Sequence, residues 1–522
     1  MFSITERSLV RVRSASIVSA PTEHNKGRFA WLLLIPLLLL ACGQLLWVTV
    51  FGPGVHEDSY VYMATASALF HGYGFQYDGK PMTHFAPAYS ALLAATYLVT
   101  DNLAHAARWL HVVLYSINIV LVAVAAYIVS ERSILATVIA PLAVLLSGEL
   151  LVIYSTAASE SPFLAVALTS FILLSMHITA PRWGLLVSAA VCLGVAMALR
   201  YVGITLLAAA LVGFWFMDRR PPARRMLECV FLAFASSLLL GAWLIRNLIL
   251  TAAPTSRTLA FHPVGLEQLK VLVVNLCNFY LPLDINPWLK LAILMAVAAM
   301  VLVQFYRVRF SPAGKTLVSL LVVFCGIYIG FLLFSMSFID ALTDFEYRIL
   351  APVGVFSFVV TIPLCLKVAT AADRTWIRWL SGAFVVSVLL GNAAEMWRIA
   401  TDLHHNGYYY SARKWRESES LAFVRSIPQT VTLYSNEPAP IGYLLGRRAR
   451  MLPPKISPTS LIPVADFTQS MRPICDDVIH NSALIVFFNY KRWYLPTAQE
   501  VQSACGFAIS RLLADGFVFE GK

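Results

Sequence analysis

Two adjacent acids, Glu57 and Asp58, begin a long polar segment that follows the first apolar run of the chain. A carboxylate within hydrogen-bond reach of an attacking hydroxyl group can take its proton, which makes either acid a candidate general base. Acids at such a position also stabilise the first turn of a helix, so a solvated helix cap is the alternative interpretation. Which of the two applies depends on the elements that position the acids.

The elements around this pair follow from an unusually apolar composition. The chain has 522 residues, of which 59% are hydrophobic and 13% are charged, with a formal net charge of +11. Soluble proteins carry about 25% charged residues, so the composition excludes disordered, collagen-like and nucleic-acid-binding proteins. We therefore expect a polytopic α-helical membrane protein.

Apolar runs recur along the first 396 residues. A spanning helix needs about 20 apolar residues. The first run is too long for the apolar region of a signal peptide, so we expect it to be an uncleaved first span. Residues 1–28 are then a cytoplasmic basic leader, and residues 29–396 form a transmembrane domain. The expected eleven spans are 29–51, 106–130, 134–152, 161–178, 184–200, 201–217, 227–248, 288–306, 316–339, 349–370 and 379–396.

The basic residues orient these spans. Cytoplasmic loops carry an excess of Lys and Arg, and a cytoplasmic amino terminus puts most basic residues before position 397 inside. A charge at a helix end can reach the interface at low cost, so each exception has an ordinary explanation by itself. Several cations together on one face predict a phosphate site. Eight residues lie on or at the outer face: Lys80, Arg108, Arg200, Arg246, Arg257, Lys270, Lys290 and Arg348.

The same topology leaves two long outer loops, 52–105 and 251–287, and an outer domain at 397–522. Within the first loop, the residues from Tyr60 to Phe70 have the spacing of a helix that lies in the membrane interface. The outer domain alternates short strand-like and helix-like segments, which predicts a small extracytoplasmic α/β domain. The segments concerned are an amphipathic stretch at 415–427, strands at Thr430–Tyr434 and Ala483–Phe488, a helix at Ala439–Leu445, and a turn at Asp515-Gly516.

The outer domain contains two cysteines, Cys475 and Cys505. In an oxidising compartment a disulfide between them is a candidate, and two buried free thiols are the alternative.

Several short motifs follow one another along most of the chain, beginning in the first loop. Together they resemble the GT-C glycosyltransferases, and more narrowly the bacterial protein mannosyltransferase and aminoarabinose-transferase (family 39-like) branch. The motifs are Asp58-Ser59-x-x-Tyr62, Gly72-x-Gly74-Phe75, Thr83-His84-Phe85-x-Pro87-x-Tyr89, Ser159-Glu160-x-x-Phe163, Leu199-Arg200-Tyr201-Val202-Gly203, Trp243-Leu244-Ile245-Arg246-Asn247, Tyr347-Arg348-Ile349-Leu350-Ala351-Pro352 and Ser435-Asn436-Glu437-Pro438.

The resemblance implies an enzyme that moves a sugar, with inversion, from a polyprenyl-phosphate-linked donor to an acceptor at the outer face of the membrane. It makes Asp58 the catalytic base or an acceptor-orienting carboxylate. The usual Asp-Glu order is reversed here, so Glu57 is a second catalytic candidate. The leaving phosphate needs positive charge nearby, for which we expect Arg246 and Arg348 first, with Lys80, Arg200 and Arg257. The expected substrate-pocket residues are Tyr62, His84, Glu160 and Tyr201.

Partners and cofactors follow from the same resemblance. We expect a polyprenyl-phosphate sugar donor, a lipid, glycan or protein acceptor, and membrane lipids in a bacterial inner membrane, in the assembly of a cell-envelope glycan. The reaction requires no cofactor, although His84 and Glu160 could ligate a divalent cation; a helix-capping His84 is the alternative. The alternative function is a lipid or sugar transporter or flippase. Transporters tend to have repeats and polar groups near the middle of the bilayer, whereas the ionisable residues here cluster at span ends.

Overall fold

The helices of the membrane domain follow the predicted apolar runs closely. A computed structural model describes residues 31–257, 259–307 and 311–521, so the predicted leader at 1–28 lies outside the described residues. We number the helices in chain order: α1 (Leu34–Val48), α2 (Glu57–Phe70), α3 (Ala88–Ala95), α4 (Leu103–Val129), α5 (Ile134–Leu146), α6 (Gly148–Ser155), α7 (Glu160–Thr179), α8 (Trp183–Leu199), α9 (Ile204–Met217), α10 (Pro222–Thr251), α11 (Leu266–Asn278), α12 (Pro287–Arg307), α13 (Pro312–Phe338), α14 (Tyr347–Ala371) and α15 (Thr375–Asn406).

The lengths of these helices make the chain a polytopic membrane protein. Within the described residues, six helices are long and apolar enough to cross a membrane, namely α4, α7, α10, α13, α14 and α15. The pair α5 and α6, bent by 72° at its break, would add a seventh span. The remaining predicted spans coincide with the shorter apolar helices α1, α8, α9 and α12. Length and composition therefore establish several spans without establishing the predicted count of eleven.

Close packing between helices stabilises the bundle. Lipid tails are as apolar as the side chains, so the hydrophobic effect does not drive helices together within a bilayer. At Gly194 in α8, a side-chain Cβ would lie only 2.9 Å from the backbone oxygen of Ser236 in α10. The helices α7 and α14 are the most enclosed of the six long spans. Their first residues, Glu160 and Tyr347, lie at the same end of the bundle as the loop between α1 and α4, which we call the first-loop end.

The first loop contains α2, α3 and a small hairpin. A helix is present where one was predicted in the first loop, but it begins at Glu57 rather than Tyr60. It ends at Phe70, two residues before Gly72, which has a left-handed backbone with φ +82°. Strands β1 (Gln76–Tyr77) and β2 (Lys80–Pro81) then pair antiparallel. The turn between them is Asp78-Gly79, with φ of 53° and 76°. Both central residues of a type I′ turn need positive φ, which Asp-Gly supplies readily.

The C-terminal domain begins later than predicted, because α15 continues to Asn406, beyond the expected boundary at residue 397. Its elements are α16 (Arg413–Arg416), α17 (Glu419–Ser426), β3 (Thr432–Ser435), α18 (Pro438–Leu445), β4 (Arg450–Met451), α19 (Phe467–Ile479), β5 (Ala483–Phe488), α20 (Ala498–Cys505), β6 (Arg511–Leu513) and β7 (Gly516–Phe519). The sheet has the strand order β4-β3-β5-β7-β6, with β3 parallel to β4 and β5, and β7 antiparallel to β5 and β6. A disulfide joins Cys475 in α19 to Cys505 in α20.

Backbone hydrogen bonds fix the start of the first loop between two distant segments. The backbone N–H of Gly54 donates to Ser155 (2.9 Å), and that of Ala157 donates back to Gly54 (2.8 Å). On the other side, the N–H of Tyr410 donates to the carbonyl of Val55 (2.9 Å). The residues just before α2 are therefore held by the α6–α7 junction and by the segment that follows α15.

Candidate active site

The first turn of α2 carries Asp58 to an arginine from another span. His56 precedes the helix with an extended backbone, and its Nδ1 lies 3.2 Å from the backbone nitrogen of Ser59. Arg348, in the first turn of α14, donates from Nη1 to Oδ2 of Asp58 (2.8 Å) and to Nε2 of His56 (2.9 Å). The acid at the start of α2 is therefore part of a partly buried ion pair and not a solvated cap.

A second acid joins the same group from the start of α7. Glu160 forms an ion pair with Arg200, the residue that follows α8. The Oε1 atom of Glu160 also lies 3.6 Å from Nη1 of Arg348. Arg200 also donates to the hydroxyl of Ser159 (3.1 Å), whose oxygen lies 3.4 Å from the Tyr62 hydroxyl. We call Asp58, Glu160, Arg200 and Arg348, with His56, the acid–arginine cluster. Its members come from regions that are far apart in sequence.

The charges of the cluster control the ionisation of its two groups in the first loop. Burial alone would raise the pKa of Asp58, but the charge of Arg348 and its hydrogen bond, together with His56, lower it below its ordinary value. Burial and the charge of Arg348 lower the pKa of His56 to about 4. At neutral pH Asp58 is therefore an anion and His56 is neutral. A neutral imidazole has one acceptor nitrogen, so His56 accepts either from the Arg348 guanidinium at Nε2 or from the Ser59 backbone N–H at Nδ1.

We expect His56 to make the protein less stable in mild acid. In the unfolded chain a histidine titrates near its ordinary pKa of about 6.5, whereas in the fold this pKa is about 4. Between those values the unfolded chain binds more protons, so the stabilisation is complete above about pH 6.5 and is lost as the pH falls towards 4. The thermal midpoint of the purified protein, measured from pH 7 to pH 4.5, should fall, and His56→Gln should flatten that fall.

The matched control is His405→Gln, since His405 is exposed near the end of α15. This variant should keep the pH slope of the wild-type protein. Equal slopes for wild type and His56→Gln would contradict a buried neutral imidazole beside Arg348.

A cavity of about 330 Å³ opens beside the cluster. Glu160 and Arg348 contribute to its wall, and the buried Nε of Arg348 has no hydrogen-bond partner among the described residues. A guanidinium can bind an anion, although four carboxyl groups line the same cavity. The other lining residues are Glu149, Val152, Ile153, Thr156, Ala158, Val271, Asn275, Asp344, Glu346, Tyr347, Tyr408 and Tyr409.

Two of the expected site residues hold the first loop instead of joining the cluster. Arg246, a leading candidate for the phosphate, donates to the backbone carbonyls of Met82 (3.0 Å) and Phe75 (2.9 Å) and lies over the ring of Trp243. The hydroxyl of Tyr201 donates to the carbonyl of Thr83 (3.0 Å). Because these side chains are occupied by backbone groups of the loop, they anchor its hairpin region to the ends of α8 and α10.

The remaining candidates are dispersed around the cluster. Lys80 is exposed in β2, and none of the ion pairs among the described residues includes it. Arg257 pairs with Asp340 (3.1 Å). His84 contacts the hydroxyl of Ser256 (2.9 Å), while Glu160 forms an ion pair with Arg200. Among the residues that the structure describes, no group of three or more His, Cys, Asp or Glu side chains is placed to hold a metal ion.

Glu57 has a different partner from its neighbour Asp58. Its Oε2 accepts from Nη1 of Arg492 in the C-terminal domain (2.6 Å), and Arg492 also contacts the fully buried Glu437 (2.7 Å). Sequence reasoning missed Arg492, since 435 positions separate it from Glu57 and no motif marks it. It also gave no role to His56, although His56 directly precedes the two acids.

The architecture has counterparts among solved structures. No protein-family model matches the chain, and a comparison with curated protein sequences gives no significant match. The chain is similar to ArnT from Cupriavidus metallidurans bound to undecaprenyl phosphate, with TM-score 0.59 and 15% identity over 93% of this chain and 97% of that one. The apo state of the same protein gives 0.55 and 13%, over 94% and 97%.

A third similar structure is the archaeal oligosaccharyltransferase AglB from Archaeoglobus fulgidus in complex with an inhibitory peptide and a dolichol-phosphate. Its TM-score is 0.51 at 12% identity, over 87% of this chain and 69% of that chain. At these identities the likeness establishes the fold alone. The chain shares the overall fold of these structures.

Proposed function

From the GT-C fold and the acid–arginine cluster, we propose that the protein is a glycosyltransferase. It moves a sugar from a polyprenyl-phosphate-linked donor to a hydroxyl acceptor at the outer face of a bacterial inner membrane. The observation that carries this proposal is the convergence of two carboxylates and two arginines beside a cavity at the first-loop end. The amino terminus is then cytoplasmic and the C-terminal domain extracytoplasmic.

Asp58 is the base in this proposal. The acceptor oxygen attacks the anomeric carbon, the bond from that carbon to the phosphate oxygen breaks, and the hydroxyl proton passes to Asp58. The sugar is inverted, and the polyprenyl phosphate leaves with both electrons of the broken bond. A phosphate is a good leaving group, so the reaction needs no second acid of the kind used in glycoside hydrolysis.

The pairing of Asp58 with Arg348 couples removal of the acceptor proton to departure of the lipid phosphate. While Asp58 is ionised, Arg348 is shared between that carboxylate and Glu160. Once Asp58 has taken the proton it no longer attracts the guanidinium, which is then free to stabilise the charge that develops on the leaving phosphate. Arg200, which also pairs with Glu160, supplies a second cation beside Arg348.

The class of donor rests on two kinds of support. Anion-binding groups at the end of a helical bundle suit a phosphate that is attached to a membrane-embedded chain. In addition, the similar structures are of ArnT with undecaprenyl phosphate and of AglB with a dolichol-phosphate and a peptide. The acceptor is a lipid, a glycan or a protein.

The proposal is tested with the purified full-length protein in proteoliposomes. A panel of polyprenyl-phosphate sugars is supplied with membrane extract as the source of acceptor, and release of polyprenyl phosphate is measured by mass spectrometry, since every donor yields that product. We expect release from at least one donor. Undecaprenyl phosphate at about 100 times its Kd should also stabilise the protein by about 2.7 kcal/mol.

The uncharged polyprenol serves as the control ligand, because it offers the same chain without the phosphate. It should stabilise the protein much less than the phosphorylated lipid does. Equal stabilisation by both lipids, together with no release from any donor, would contradict the proposal.

A further inference from the structure

The first turn of α2 is attached to two different parts of the protein. Asp58 binds Arg348 of the membrane domain (2.8 Å), whereas its neighbour Glu57 binds Arg492 of the C-terminal domain (2.6 Å). Successive residues of an α-helix point about 100° apart. A rotation or shift of α2 that breaks one of these ion pairs therefore also moves the other carboxylate.

Arg492 is itself held firmly. Its Nε and Nη2 bind the two carboxylate oxygens of Glu437 (2.8 and 2.7 Å), and its Nη1 donates to the hydroxyl of Tyr494 (2.6 Å). The Glu437 side chain is 0% exposed and that of Arg492 only 12%. Glu437 also accepts a hydrogen bond from Tyr410. A two-pronged Arg–carboxylate pair of this kind fixes direction as well as distance.

Two further contacts tie the same helix to the C-terminal segments. The N–H of Tyr410 donates to the carbonyl of Val55, immediately before α2. In α18, a Cβ added to Gly442 would lie 1.9 Å from the hydroxyl of Tyr60, so the ring of Tyr60 packs directly on the backbone of that helix. The start of α2 is therefore fitted against the C-terminal domain over several residues.

We propose that Arg492 is a positioning residue, which acts through Glu57 to set the place of the Asp58 carboxylate in the active site. The inference rests on the proposed function and assigns a task to the C-terminal domain: it supplies the second support of the catalytic helix. Glu57 is then an anchor and not a second base. A misplacement of about 1 Å at a reacting group can lower a rate by about 100-fold, so loss of this support affects turnover.

The experiment compares Glu57→Ala, Arg492→Lys and the double variant, with the full-length protein, in the polyprenyl phosphate release assay. Arg492→Lys keeps a positive charge beside Glu437 but loses the fork geometry. We expect each single variant to lower kcat by about 10- to 100-fold and the double variant to lose no more than either single. The affinity for undecaprenyl phosphate should stay within twofold, because Arg200 and Arg348 are untouched.

Two additional variants separate positioning from general damage. Glu57→Gln can still accept one hydrogen bond from Arg492, so its kcat should lie between those of wild type and Glu57→Ala. Arg448→Gln is the matched control, since Arg448 also joins the C-terminal domain to the first loop, at the exposed Asp78. It should keep wild-type turnover. Hydrogen exchange of the amides at 55–62 should become faster in Arg492→Lys and stay unchanged in Arg448→Gln.

Each outcome decides the matter. Additive losses in the double variant would make Glu57 an independent catalytic group, and wild-type kcat in Arg492→Lys would remove the positioning role; either result overturns the inference. If Arg448→Gln lowers kcat as much as Arg492→Lys does, the effect comes from docking of the C-terminal domain in general, and Arg492 has no specific positioning role. Asp58→Asn is run beside these variants. If wild type is active and Asp58→Asn is not, a normal Glu57→Ala refutes this inference alone, whereas an inactive wild type refutes the proposed function and the inference with it.

Discussion

Asp58→Asn is expected to lower kcat for sugar transfer by about 10²- to 10⁴-fold, the usual contribution of a general base. Asparagine keeps the size of the side chain and can still accept a hydrogen bond from Arg348, but it cannot take the proton of the acceptor. The measurement is single-turnover release of polyprenyl phosphate by the reconstituted protein. Affinity for undecaprenyl phosphate should be retained or slightly increased, because Arg348 no longer faces a carboxylate anion.

The first loop offers a matched control in Asp78→Asn. Asp78 is in the hairpin turn with φ 53°, a conformation that asparagine adopts as readily as aspartate. The same chemical change at that site should leave turnover close to wild type. Residual activity above a tenth of wild type in Asp58→Asn would mean that another group takes the proton.

The second large effect is expected for Arg348→Gln, which should weaken both donor binding and the fold. Loss of charge-assisted hydrogen bonds to the lipid phosphate should raise the Kd for undecaprenyl phosphate by about 10- to 100-fold. The substitution also leaves Asp58 without its cation. Breaking a buried pair commonly costs about 3–5 kcal/mol, and we expect the low end of that range because the side chains of Arg348 and Asp58 are 26% and 31% exposed.

The comparison for Arg348→Gln is Arg398→Gln on α15. Arg398 is 70% exposed and pairs with Glu395 one helical turn away, so its loss should cost at most about 1 kcal/mol. Thermal midpoints with and without undecaprenyl phosphate measure both quantities. An Arg348→Gln protein that binds the phosphorylated lipid as tightly as wild type would exclude Arg348 from the phosphate site.

The fold was largely predictable because long apolar runs indicate spanning helices and short apolar segments indicate strands. Long apolar runs located helices such as α4 and α14, and the strand Ala483–Phe488 was predicted at its observed limits. The end of α15 was harder to predict, since the chain remains helical to Asn406 after its residues become polar. The helices α8 and α9 are shorter than the long spans, so length alone does not assign them as membrane-crossing helices.

Part of the candidate site was predictable from basic residues that the expected topology places on the outer face, where Lys and Arg are normally scarce. Arg200 and Arg348 were singled out as cations on the unexpected face, and both lie in the acid–arginine cluster with Asp58 and Glu160. Arg246 satisfied the same criterion, yet its guanidinium binds backbone carbonyls of the first loop. A charge count identifies costly cations but not their partners.

Contacts with the C-terminal domain could not be predicted at all. Nothing local to Arg492 signals its pairing with Glu57, because that contact depends on how a complete domain is placed on the membrane bundle. The same holds for the contact between Tyr60 and Gly442.

The hydrogen bond between Tyr410 and Val55 has a consequence for how the protein is made. Chains are synthesised from the amino terminus and generally fold in that order, so Asp58 leaves the ribosome long before Arg348, Tyr410 and Arg492 exist. Until then the acids at the start of α2 have neither of the arginine partners that they have in the complete fold. If Arg492 positions Asp58 as we propose, the catalytic helix is completed only after translation of the C-terminal domain.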